Sequence, residues 1–130
     1  MIKMEINLAV YEGGIHSMII TTPYPVLKVL ETSKNFRCRF IVFSRRFLKA
    51  NYINPHVLDR FQFCSAGAIP VVHLRQAEAE QLQAQFVYIW QQFREAGHPF
   101  RKEITGNLMM ALLYDFEAAY QKHFQQVQKK

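Results

Sequence analysis

The spacing of hydrophobic and polar positions changes near residue 74. Up to that point apolar residues mostly alternate with polar ones, the period of strands; beyond it they recur at helical intervals. Glu5–Tyr11 reads as a strand, and Glu12-Gly13-Gly14 gives the strongest turn signal in the chain, because paired glycines accept positive φ. Ile15–Thr22 is then the expected return strand of a hairpin. Thr22-Pro23-Tyr24-Pro25 breaks it, since neither proline can donate to a ladder. Val26–Glu31 alternates around Lys28, Thr32-Ser33-Lys34-Asn35 supplies a turn, and Phe36–Phe43 is expected as the fourth strand. Its pattern places Phe36, Cys38, Phe40 and Val42 on one side, the expected inner one.

Short helical pieces follow. Ser44 is suited to cap a turn over Arg45–Ala50 that offers Phe47 and Leu48 to a core. Pro55 suits the first position of a second short helix reaching about Phe61. Phe63–Ile69 is ambiguous, and Ala68–Leu74 reads as a last strand, placed at an edge or bulge by Pro70.

Two long helices complete the pattern. From about Gln76 to Ala96, Leu82, Phe86, Ile89, Trp90 and Phe93 form one apolar stripe, and Gly97 and Pro99 end the helix. From about Phe100 to Gln126 there are two stripes. One holds Ile104, Leu108, Ala111 and Leu112; the other holds Met109, Leu113, Phe116, Tyr120 and Phe124. The short Gly-His-Pro connection makes the pair an antiparallel hairpin. A helix packed on one side needs one apolar face, so the second stripe has two explanations. Either it covers a second copy of the chain, the preferred reading in so short a protein, or both stripes are internal.

A chain of 130 residues is one domain, and a half-hydrophobic composition excludes disorder, a collagen-like repeat and a disulfide scaffold. No apolar run is long enough for a membrane span, and Met1-Ile2-Lys3-Met4-Glu5 is no signal peptide. A soluble cytoplasmic protein without membrane partners is the expectation. The net charge of +6 is lopsided: residues 1–74 carry nine basic and four acidic side chains, and six of the basic ones lie between Lys34 and Lys49. Such a run can meet phosphate, so a stand-alone basic module for nucleic acid or protein contact is the alternative functional reading.

Chemistry is sparse. His16, His56, His73, His98 and His123 have no metal-sharing spacing, so no metal and no cofactor are expected. Glu95 and Glu103 read as surface charges, Ser17 and Ser65 lack a nucleophile-elbow context, and Gly13-Gly14 opens no helix. Cys38 is expected as a buried, inert thiol, while Cys64 is undecided. Tyr24 fits a pocket or a surface loop equally well. Together these features argue against an enzyme.

The order of features resembles the sensor domain of AraC-family transcription regulators. The resemblance lies in Ser33-Lys34-Asn35-Phe36, in Ile41-Val42-Phe43-Ser44 followed by Phe47-Leu48, and in Ile69-Pro70-Val71-Val72-His73-Leu74 ahead of two long helices. It implies an α+β fold: a partial antiparallel jelly-roll (cupin-like) sheet over residues 1–74, then a C-terminal antiparallel helix pair over 75–130, in one structural domain. Compared with that family, the sheet would lack its first strands and the chain would stop before the helix-turn-helix motifs. The implied function is regulatory in a bacterial protein: the sheet side would sense an unidentified small-molecule effector and the helix pair would form a homodimer, with DNA reached only through a part absent from this chain. The dimer contact is expected at Met109, Leu113, Phe116 and Tyr120. No ligand-binding residues follow from the pattern, because strand register decides them.

Overall fold

The computed structural model describes residues 1–21, 27–65 and 67–128. Their architecture is mixed α+β: two small antiparallel sheets, short helical turns, and two long C-terminal helices. Strand β1 (Ile2–Ile6) lies between β2 (Ala9–Gly13) and β4 (Leu27–Thr32), while β3 (Ser17–Ile19) pairs with β5 (Val71–His73).

The first hairpin turns earlier than the glycines predict. Ile6 pairs with Ala9, so Asn7 and Leu8 form a two-residue connection with φ of 51° and 67°. Positive φ at both positions is what a tight hairpin needs to match strand twist, and it is usually supplied by Asn-Gly. Here leucine takes the second position, fully solvated. Glu5–Tyr11 is therefore two strands and a turn, and the expected return strand pairs elsewhere: Met18 faces Val72 and Ile19 faces Val71.

That β3–β5 ribbon is buried on both sides, because successive strand residues point opposite ways. Ile19 and Val71 join Met4 and Ile6 of the three-stranded sheet in a small apolar cluster. Met18 and Val72 face the main core, with Leu48, Ile53, Phe61, Phe63, Leu82, Ile89, Met109, Leu112 and Leu113. Each such fully buried side chain contributes about 1.5–3 kcal/mol. The core draws on residues from both sides of position 74, which binds sheet and helices into one body.

The short elements fall where their local signals place them. Helix α1 (Arg45–Ala50) is capped by Ser44, whose Oγ accepts from the Phe47 N–H at 3.0 Å. Pro55 opens a 3₁₀ turn, Pro55–Arg60, and a second 3₁₀ turn covers Gln62–Cys64. Helices α2 (Gln76–Arg94) and α3 (Arg101–Gln128) pack side by side. Their antiparallel register is pinned by His123 to Glu78 at 3.1 Å, by the Gln85 amide donating to Asp115 at 2.6 Å, and by Arg101 Nε donating to the Phe93 carbonyl.

Phe36–Phe43 forms no strand, and no single side of it faces inward throughout: Phe36 is half-buried, and residues 37–40 are all exposed. Ile41 and Phe43 pack against the core, while Cys38, Phe40 and Val42 are exposed. Cys38 is accordingly no buried thiol. The anchor is Ser44 and α1: with Leu48 seated in the core, Ile41 and Phe43, just ahead of the cap, are drawn in with it. The Thr22–Pro25 break and Tyr24 lie outside the described residues.

Candidate functional site

Helix α1 ends in a Schellman motif, and that motif shapes the main cleft. The Ile53 N–H donates to the Leu48 carbonyl at 2.8 Å and the Tyr52 N–H to the Lys49 carbonyl at 3.3 Å. The position between cap and return requires positive φ, and Tyr52 holds it at 62° where glycine is usual. Ile53 is drawn into the core beside Leu48, and the Tyr52 ring is left 72% exposed.

Opposite this corner runs α3. Gly106 lies against the Asn51 carbonyl oxygen so closely that a Cβ there would collide with it. The close approach brings two walls together around a cleft of about 780 Å³. Ile53, Val57 and Met110 give it an apolar floor; Tyr52, His56, Arg60, Glu103, Asn107 and Tyr114 form a polar and aromatic rim. The volume is in the range of small-molecule sites, while the cleft is open to solvent and its lining is about as polar as it is apolar. The rim is preorganised on one side: the Asn51 amide donates to the Phe47 carbonyl at 2.8 Å, Asn54 Oδ1 accepts from the His56 N–H at 3.0 Å, and His56 stands 3.5 Å from Asp59. With Arg60 on one wall and Glu103 on the other, it presents both signs of charge.

The residues expected at a dimer contact are elsewhere. Met109, Leu113 and Tyr120 are buried in the core of the single chain, and Phe116 packs edge-on to Phe63 and Phe86 at 6.2 and 6.0 Å. The Tyr120 hydroxyl accepts from the Ile69 N–H at 3.1 Å. Three of the four are buried within the single chain and Phe116 is half-buried among its aromatic neighbours, so the expectation of an intermolecular contact at Met109, Leu113 and Tyr120 is corrected. Residues 51–65 and 67–74 fold back over α3 and cover the second stripe; in the first stripe Leu112 is buried, Ile104 and Leu108 are half-buried and Ala111 is exposed.

The helix pair nevertheless exposes aromatic surface. Trp90 is 58% exposed and Phe93 is also exposed. The Arg94 guanidinium sits 5.6 Å from the Trp90 ring centre, and that of Arg101 sits 4.8 Å from Phe93. Phe47 approaches Phe93 from the inner side at 6.4 Å. Trp90 is thus surface and not core.

Two polar groups in the body stand out. Glu117, 7% exposed, receives the Gln62 N–H. Cys64 lies close by, and burial, reinforced by the Glu117 charge, pushes its thiol up to about 11. Among the described residues no three His, Cys, Asp or Glu side chains are grouped to hold a metal. No helix among them is long and apolar enough to cross a membrane.

Neither Tyr52 nor Gly106 stands out in the sequence as a site residue. The signal for the cleft would have been the pair Asn51-Tyr52 just after a short capped helix, facing a glycine inside a long one. Comparisons with protein-family models, curated proteins and solved structures returned no match.

Proposed function

We propose that this chain is the sensing and self-associating part of an AraC-type transcription regulator, acting on a DNA-reading part outside these 130 residues. The small antiparallel sheet is then a partial jelly roll, and the helix pair is the element that passes its state onward. One observation carries the reading: the cleft has one wall on the 51–60 corner and the other on α3. A small molecule bound there prefers one spacing of corner and helix over another, and a ligand shifts an equilibrium by that difference in affinity. The mixed charge of the rim and its apolar floor favour a compact amphipathic molecule with polar groups at its edge. Homodimer contact falls on the outer side of the helix pair, where Trp90, Phe93, Arg94 and Arg101 have the composition of an interface hot spot.

A thermal-shift screen of small amphipathic acids and amides tests the sensing half. Compounds that raise the Tm of the wild type are expected to have no effect on Asn107→Trp, which fills the cleft from α3. Compounds that stabilise both proteins equally would remove the cleft from this account.

A further inference from the structure

The basic segment is not absorbed by the regulatory reading, and its surroundings give it a ligand. From Thr32 to Leu58 there is no carboxylate, while Lys34, Arg37, Arg39, Arg45, Arg46 and Lys49 all fall within that stretch. All six are exposed. Among the described residues, the ion pairs join His56 to Asp59, and Lys122 and His123 to Glu78; none of them involves the six. On α1, Arg45 and Lys49 are one turn apart and Arg46 lies three residues before Lys49, so the three exposed cations are neighbours on the helix surface. Ahead of them the chain runs without regular structure, and Phe40 stands 77% exposed beside Arg39. A solvated aromatic ring within a run of cations is the combination that single-stranded nucleic acid uses: cations follow the phosphates and a base stacks on the ring.

We infer that Lys34–Lys49 binds single-stranded nucleic acid, its six cations on the phosphates and Phe40 stacked on a base. Four of the six are arginines, whose planar forks match phosphate oxygens and also stack on bases. A membrane surface fits less well. An interfacial helix needs a free apolar face, whereas α1 turns Leu48 and Phe47 toward the core.

The test is fluorescence anisotropy of a labelled oligothymidine of about 20 nucleotides, against a duplex of equal length, at salt from about 50 to 200 mM. Binding should favour the single strand, with a log–log salt slope near about −4 if all six cations engage. Phe40→Ala should weaken single-strand binding by roughly ten-fold while leaving duplex binding unchanged. Arg37→Ser with Arg39→Ser should reduce the magnitude of the slope by about 1.4, and Lys102→Ser, outside the segment, should not change it. Both side-chain sets are exposed, and circular dichroism of each variant checks its fold. Absence of binding overturns the inference. So does equal affinity for duplex with no effect of Phe40→Ala, which is plain polyanion attraction. Tighter binding to anionic phospholipid vesicles than to oligonucleotide overturns it in favour of a membrane.

Discussion

Both carboxylate oxygens of Glu117 lie within hydrogen-bond distance of a single backbone donor, the N–H of Gln62, at 2.6 and 3.0 Å. That donor opens the 3₁₀ turn Gln62–Cys64, so a buried charge on α3 fastens the segment that covers the helix's second stripe. Glu117→Ala would leave the Gln62 N–H without this acceptor. The expected loss is about 1.5–3 kcal/mol in urea unfolding, the value of a hydrogen bond to a charged group. Glu117→Gln keeps an acceptor and should lose less. Equal stability of wild type and Glu117→Ala would mean that the clasp holds nothing.

Tyr52 occupies a left-handed position that costs an ordinary side chain about 1–2 kcal/mol. Tyr52→Gly is therefore expected to raise stability by about 1 kcal/mol, somewhat offset by the freer unfolded chain. Because the ring lines the cleft, the same variant should lose the thermal response to compounds that shift the wild type. Such a trade is expected where strain is kept for a site. A variant that is both less stable and fully responsive would contradict this role.

The two thiols should behave oppositely. Cys38 is exposed, whereas Cys64 is half-buried with its thiol raised to about 11. At pH 8 a thiol reagent should modify exposed Cys38 rapidly and Cys64 far more slowly, since the thiolate is the reactive form and burial keeps Cys64 protonated. Equal rates for both in the folded protein would count against the placement of Cys64.

Glu78 ties α2 to α3. Burial alone would raise its carboxyl, but the Arg75 N–H, His123 and Lys122 outweigh it and hold the carboxyl below its ordinary value. A depressed carboxylate adds stability that is complete above its unfolded-state pKa and is lost as pH falls through the folded one. Glu78→Gln should thus be less stable than wild type at pH 7, and the difference should close as pH drops below the ordinary glutamate range. Urea midpoints at several pH values read this directly; a gap that persists in strong acid would assign it to packing.

The legible parts of the fold were those fixed by local chemistry. Ser44 capping α1, Pro55 opening a turn, and the long periodic stripes ending near Gly97 each state their own geometry. What escaped was set by distant contacts. The hairpin turns at Asn7-Leu8 because β1 and β2 need their inward residues in register, and leucine gives no turn signal. Phe36–Phe43 has a strand's alternation, yet Ile41 and Phe43 are drawn in where α1 seats Leu48. Met109, Leu113, Phe116 and Tyr120 read as a free stripe because the covering segment, Phe61–Ile69, has no periodicity to announce it. The cleft escaped for the same reason: Tyr52 and Gly106 are 54 positions apart, and only packing joins them.

The proposed function also requires self-association, for which the outer side of the helix pair is the proposed surface. The direct measurement is solution mass by light scattering across a dilution series, for wild type and for Trp90→Lys. The proposal predicts a wild-type dimer that persists on dilution and a folded monomer for the variant, because an ammonium group beside Arg94 has no carboxylate partner there and cannot be buried unpaired. A wild type that is monomeric at every concentration, or a variant that dimerises unchanged, would contradict it.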